Sequence, residues 1–360
     1  MSCCATAARM SSMLKSATRA LPILCALLIL LGSADLRVVQ SQAPLDEIAG
    51  EGASTDAHGH IGLYLTSYAF ARPDIIDGMF AAADEGWIDA VVVNVKNMHG
   101  EVTFSSTVPL AEEIRANTGR LDLAAVVAQL HEAGLYVIAR QVLFFDPLLA
   151  EHLELAGTWV PPDDPLVREY NLAIADDVVA AGVDEIQFDY IRYPDEGDLQ
   201  VGYDERYGVI AGFLETAQSR IGDRVTLSVD IFGRVMWAWN MRHIDPIGQS
   251  LETMAPHVDL ISPMLYPSHY NEETYYNDPY RTISDALTSG MERVDTPFRP
   301  FLQAFDLRIP AEMSLPSYIR AQIEAAENLG ADGYLFWHPG CEYEALYETF
   351  RLRGQAADGR

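Results

Sequence analysis

Glu185-Ile186-Gln187-Phe188-Asp189-Tyr190-Ile191 decides how the rest of the chain is read. Apolar and polar residues alternate along it, as in a strand with two different faces, and an acid stands near its end. The preceding segment, 165–181, carries Leu166, Tyr170, Ile174 and Val178 at helical spacing and stops at Gly182. A helix closed by glycine and followed at once by a strand is half of a βαβ unit.

That rhythm recurs along the chain. Strands are expected at 61–66, 90–96, 135–141, 185–191, 225–231, 260–266, 300–305 and 333–337. Helices are expected at 73–85, 121–133, 165–181, 209–221, 247–257, 280–293, 316–329 and 342–350, with a long loop at 97–120. Eight strand–helix units in one unbroken series predict an α/β fold, a single (β/α)8 TIM barrel over 58–352. The competing arrangement is an open doubly wound sheet. It calls for a glycine-rich first turn, and Thr66-Ser67-Tyr68-Ala69 has no glycine.

The two ends differ from the middle. Residues 1–45 read as a signal peptide or anchor with a spacer. Lys15 and Arg19 precede an apolar run at 21–31, and Ser41-Gln42-Ala43 has the small-x-small form of a cleavage site. The chain is therefore expected to be exported, to the extracellular space or the cell envelope. An uncleaved anchor is the alternative, and no membrane partner is expected beyond it. Residues 353–360 are small and polar and are expected to be a disordered tail. Cys3, Cys4 and Cys25 lie in the leader, which leaves Cys341 without a disulfide mate and reads as a small packed residue.

A formal net charge of −28 repels nucleic acid and anionic lipid, so neither is an expected partner. Lysine occurs only at Lys15 and Lys96, which makes Lys96 conspicuous. His58 and His60 are closely spaced but precede the first strand, at the barrel bottom; His243, His257, His269 and His338 are scattered without ligand spacing, and G-x-S-x-G, P-loop and GxGxxG motifs are missing. Neither a metal nor a cofactor is expected.

In a barrel, chemistry sits at the C-terminal strand ends. Here seven of those ends turn polar or aromatic: Asn94 and Lys96, Arg140 and Gln141, Gln187 and Asp189, Asp230, Tyr266, Gln303, and Trp337 with His338. Alternation turns Glu185, Gln187 and Asp189 inward, and Ile186, Phe188 and Tyr190 toward the helices. Glu185, the deepest, suits a structural hydrogen bond. On the fifth strand Ser228 and Asp230 point inward, which sets Asp230 beside Asp189 at the barrel mouth. A carboxyl pair is what glycoside hydrolysis requires: one protonates the leaving oxygen, the other serves as nucleophile or base. Two alternatives stay open: Asp189 bonding loop backbone or Arg192, and Asp230 positioning substrate hydroxyls. Trp237, Trp239, Tyr266, Tyr270, Tyr275, Tyr276 and Trp337 crowd the later strand ends and loops, and such rings suit sugar faces as well as ordinary packing.

At these residues a family resemblance appears. It is carried by Phe188-Asp189-Tyr190-Ile191-Arg192-Tyr193-Pro194 and by Ile261-Ser262-Pro263-Met264-Leu265-Tyr266-Pro267-Ser268-His269-Tyr270. Val229-Asp230-Ile231-Phe232-Gly233, Ile247-Gly248-Gln249 and Arg299-Pro300-Phe301-Leu302-Gln303 carry it too. These stretches resemble the DUF4015 glycoside-hydrolase-like family over about 62–344. The resemblance implies a TIM barrel of glycosidase type, with Asp189 in the place of the strand-four nucleophile or base. The chain departs from the family pattern in three places. Asn94-Val95-Lys96-Asn97-Met98 replaces an acidic run, Ala304 stands where Asp is common, and His338 where Asn is expected. If those acids are catalytic, the protein is altered or inactive; if they shape subsites, its specificity has changed.

The reading is thus a carbohydrate-acting barrel. Asp189 and Asp230 are the catalytic candidates. Lys96, Arg140, Gln187, Arg192, Tyr266, His269, Gln303 and Trp337 are the candidates for holding the glycan. The alternatives are a non-catalytic glycan-binding barrel of the cell surface and a metal-assisted hydrolase of another bond.

Overall fold

A computed structural model describes residues 59–195 and 200–358. The leader expected at 1–45 lies outside them. In chain order the elements begin with β1 (Ile61–Leu65), α1 (Pro73–Asp84), β2 (Ala90–Lys96), β3 (Val102–Phe104), α2 (Pro109–Glu113) and β4 (Asn117–Leu121). Next come α3 (Leu123–Glu132), β5 (Tyr136–Val142), α4 (Pro147–His152), α5 (Pro165–Ala180), β6 (Glu185–Asp189), α6 (Tyr203–Ile221) and β7 (Thr226–Phe232). The chain continues through α7 (Leu251–Met254), β8 (Leu260–Met264), α8 (Glu273–Tyr276), α9 (Pro279–Met291) and β9 (Phe301–Gln303). It ends with α10 (Leu315–Asn328), β10 (Tyr334–Trp337) and α11 (Glu344–Asp358).

Strands β1, β2 and β5 to β10 pair in parallel, and β1 pairs with both β2 and β10, so the sheet closes on itself. This is the (β/α)8 barrel. Proline and acids explain why its helices begin where they do. Pro73, Pro147, Pro165 and Pro279 open α1, α4, α5 and α9 at positions that need no N–H, and Asp122, Asp146, Asp164 and Asp278 cap α3, α4, α5 and α9 through backbone amides. Part of the acidic excess therefore serves as helix caps.

Phe188 faces the helix layer and meets Phe213 of α6 edge-on at 5.6 Å; Phe144 meets Phe213 at 5.3 Å. All three rings are fully buried, so truncating Phe213 to alanine costs roughly 3–5 kcal/mol. Inside the barrel the side chains form layers. At the bottom Glu185 binds Ser228 and the guanidinium of Arg299, a fully buried ion pair. Above it Gln187 donates to Ser262 at 3.1 Å. The register Phe188–Val229 then sets Asp189 and Asp230 side by side at the top.

The structure departs from the expected elements in several places. The loop at 97–120 folds into β3, α2 and β4, which extend the sheet beyond β2. The helix expected at 247–257 starts only at Leu251, where α7 leads into a 3-10 turn over Ala255–His257; Gly248 takes φ +79°, a backbone that favours glycine, before it. The last helix runs on to Asp358, so the tail expected at 353–360 is helical through 358.

Candidate active site

The barrel mouth is organised around one cation. Arg140, near the end of β5, donates from Nε to Oδ2 of Asp189 at 3.0 Å and from Nη2 to the same oxygen. Its Nη1 donates to Oδ1 of Asn94 at 2.9 Å, and its Nε lies 3.8 Å from Oδ2 of Asp230. Both acids are measured from one nitrogen, so their Oδ2 atoms are at most about 7 Å apart, within reach of carboxyl pairs that share one glycosidic bond.

The two acids stand in different surroundings. Both oxygens of Asp189 face donors: Oδ2 takes Arg140, and Oδ1 takes the backbone N–H of Tyr190 at 2.5 Å. Asp230 is 1 % exposed, and its Oδ1 has no hydrogen-bond partner. Burial, and then the charge of Asp189, push the Asp230 carboxyl well above the usual carboxylate range, and Arg140 only partly offsets this. Gln249 fixes the end of β7 beneath it, accepting from the N–H of Phe232 at 3.0 Å and donating to the carbonyl of Asp230 at 3.2 Å.

Two tyrosines complete the mouth. The ring of Tyr64, on β1, lies 5.5 Å from the Arg140 guanidinium. Burial above all pushes its hydroxyl up to about 12. Tyr266 is also held well above the ordinary phenol value, by burial and then by Asp230 and Asp189. It stacks on Trp337 at 5.6 Å, and Phe305 meets both edge-on. His269 stands next to this cluster, its ring 5.4 Å from that of Tyr266; partial burial among its neighbours, and then the charge of Arg308, hold it below the ordinary imidazole value.

Four of the expected glycan contacts lie elsewhere. Lys96 is fully buried, paired with Asp146 at 2.8 Å and bonded to the carbonyl of Val142 and to Asn171 at 3.0 Å. The cause is a register shift in the β2–β5 ladder between Asn94 and Lys96, which leaves Asn94 on Arg140 and turns Lys96 toward α5. Gln303 is fully buried too, and its amide ties the carbonyls of Phe305 and Leu307 to the N–H of Ser268. Gln187 lies in the closed layer beneath the two acids. Arg192 is wedged between the rings of Trp159 and Phe232, 4.5 Å from each. Asp189, Asp230, Arg140, Tyr266 and Trp337 do meet, with His269 at the margin.

Tyr190 was expected on the helix side. Instead β6 ends at Asp189, and Tyr190 takes a left-handed φ of +51°. Its ring sits half-buried against Phe145 and Trp159. Bulky residues seldom adopt this backbone, and strain of this kind clusters at functional sites. Trp159 carries no signal in sequence periodicity, since it lies outside the regular elements and is held by an isolated bridge to Phe145. Of the family departures, Asn94 bonds Arg140 directly, and Ala304 lies at the β9 end with its N–H on the carbonyl of Trp337 at 3.2 Å. Asn97 caps a turn, and His338 accepts from the N–H groups of Gly340 and Glu342. Trp237 packs inside a loop cluster with Tyr270 and Tyr275, while Trp239 is exposed. Among the described residues, no cluster of three or more His, Cys, Asp or Glu side chains is arranged to hold a metal ion.

Residues 62–343 match the family described as "Putative glycosyl hydrolase domain", DUF4015. The chain belongs to that family. The match spans the whole barrel from β1 to the strand-eight loop and includes every residue of the Arg140 cluster. No curated protein matches the sequence. Among solved structures, this DUF4015 domain is similar to the glycoside hydrolase domain of PgaB (BpsB) from Bordetella bronchiseptica. The identity is 16 %, the TM-score 0.59, and the alignment covers 81 % of this chain and 98 % of that one. A class V chitinase from Pseudomonas fluorescens aligns with TM-score 0.53 at 10 % identity, over 81 % and 98 % of the two chains. An endo-1,4-beta-D-mannanase from Thermotoga petrophila aligns with TM-score 0.53 at 14 % identity, over 78 % and 88 %. These likenesses concern the fold, which all three share with this chain.

Proposed function

We propose that this domain is an exported glycoside hydrolase that cleaves O-glycosidic bonds of a poly- or oligosaccharide, with Asp230 as general acid and Asp189 as nucleophile or base. The observation that carries the proposal is the contrast between the two neighbouring acids. Asp230 is buried and pushed toward its protonated form, with one oxygen free of any partner. Asp189 has both oxygens engaged by donors, Arg140 on one and the N–H of Tyr190 on the other. Environments that drive two carboxyls apart assign acid and base roles.

In this scheme Asp230 gives its proton to the glycosidic oxygen as the bond to the anomeric carbon breaks, and the electron pair stays with the leaving sugar. Asp189 supports the positive charge that develops at that carbon, by attacking it or by activating water. Water supplies the hydroxyl of the new reducing end, and its second proton restores Asp230. Arg140 holds Asp189 in place, and Tyr266 and Trp337 offer ring faces to the sugar. No cofactor enters the scheme.

The test is release of reducing ends by the wild type and by Asp230→Asn and Asp189→Asn. Loss of turnover in both variants, with unchanged melting temperature, supports the assignment; turnover at the wild-type rate in either removes that residue from its role. A second reading, a non-catalytic glycan-binding barrel, is favoured by Asn94 in place of a family acid. It predicts saturable binding without product. Export rests on the 1–45 leader, and mass analysis of secreted protein beginning after Ala43 would support it.

A further inference from the structure

We infer that the glycan lies across the mouth and is cut inside the chain, gripped by two aromatic walls on opposite sides of Asp189 and Asp230. This rests on the glycosidase reading and adds where the bond lies within the polymer. The ring order β1-β2-β5-β6-β7-β8-β9-β10 places the loops after β5 and β6 across the barrel from those after β9 and β10. The first group carries Phe145, Trp159 and Tyr190, with ring centroids 5.1 to 6.0 Å apart. The second carries Phe305 and Trp337, with Tyr266 of the β8 loop stacked on Trp337.

The first wall is built rather than incidental. Trp159 is tied down by its bridge to Phe145, by the N–H of Val160 on the carbonyl of Phe144 (2.9 Å), and by the N–H of Asp146 on the carbonyl of Thr158 (2.8 Å). The Arg192 guanidinium, held between Trp159 and Phe232, fixes the wall from behind. Tyr190 joins Asp189 to this wall by a single peptide bond, and its left-handed backbone keeps the ring out of the helix layer. Rings held in advance lose little freedom when a sugar stacks on them. The wall rings are half-buried except Tyr266 and Phe305, which are more enclosed, so each wall keeps some ring surface open to solvent. With a net charge of −28, the chain suits a neutral glycan and repels a polyuronate.

The experiment compares wild type, Trp159→Leu and Trp337→Leu on soluble mannan, chitin oligomers of increasing length, and polygalacturonate as the anionic control. Product sizes are followed by chromatography and melting temperatures are matched. The inference expects the wild type to shorten a neutral polymer rapidly into mixed oligomers. It expects each leucine variant to raise KM on long oligomers about tenfold, the loss of one stacked ring, and to move the cleavage point toward opposite ends. Release of single units from one end of an otherwise intact polymer would overturn this inference and leave the glycosidase reading standing. Preferential cleavage of polygalacturonate would overturn the substrate class. No hydrolysis of any glycan would bring down both readings together. If Trp159→Leu lowers the melting temperature, Trp159→Phe, which keeps a ring, must restore long-oligomer KM; failure to do so also counts against the wall.

Discussion

Arg140 directs two of its N–H groups at a single oxygen, Oδ2 of Asp189. This leaves Asp230 only a distant share of the same cation, at 3.8 Å, with burial and a neighbouring negative charge both favouring its proton. The unequal division of one guanidinium underlies the different tasks proposed for the two adjacent acids. It also identifies Arg140 as a positioning residue whose removal should harm the site more than the fold. Arg140→Gln is expected to lower kcat/KM by about 100-fold or more, the scale seen when a fixed electrostatic contact is lost. A circular dichroism spectrum should stay unchanged.

The pH dependence follows from Asp230. In the proposed scheme catalysis needs its proton, so kcat/KM should fall on the alkaline side as pH rises through its raised value, above the ordinary carboxylate range. Stability should move the same way. The folded state holds this proton more tightly than the unfolded chain does, so the contribution is complete below the unfolded value and is lost as pH rises through the folded one. Asp230→Asn should remove that pH-dependent fall in urea midpoint; a variant whose midpoint still tracks pH as the wild type does would assign the slope to another group.

Asn94 offers a way to perturb the same balance. It accepts from Nη1 of Arg140 at 2.9 Å, so Asn94→Asp adds a third negative group to the cation. Like charge raises a neighbouring carboxyl, and the alkaline limb of the pH–rate profile should shift upward. A limb that stays in place would mean that Asp230 does not set it.

Lys96 leads to a prediction about stability alone. It pairs with Asp146 where neither side chain is exposed. Lys96→Met strands a buried carboxylate and should cost about 3–5 kcal/mol in urea unfolding, while Lys96→Met with Asp146→Leu should recover a large part of that loss. A cost below that of a surface pair would mean that water reaches the site.

These cases also mark what the sequence makes legible. Period-two alternation found Asp189, Asp230 and the buried Glu185, because β6 and β7 are regular up to those residues. The same rule failed where the backbone stops obeying it. A register shift turns Lys96 out of the mouth, and a left-handed backbone at Tyr190 sets its ring against Phe145 and Trp159. Gln303 and Gln187 are legible in the sequence as strand residues, but depth within the barrel depends on neighbouring side chains that periodicity does not encode. Trp159 acquires its place from a bridge between two irregular segments, which leaves no periodic trace.

The most direct measurement of the central claim is reducing-end release from neutral polysaccharides by wild type, Asp230→Asn and Asp189→Asn, at matched folding and across pH. The account predicts release by the wild type alone, with an alkaline limb that belongs to Asp230. Undiminished release by either variant, or glycan binding by the wild type with no release at all, would contradict it.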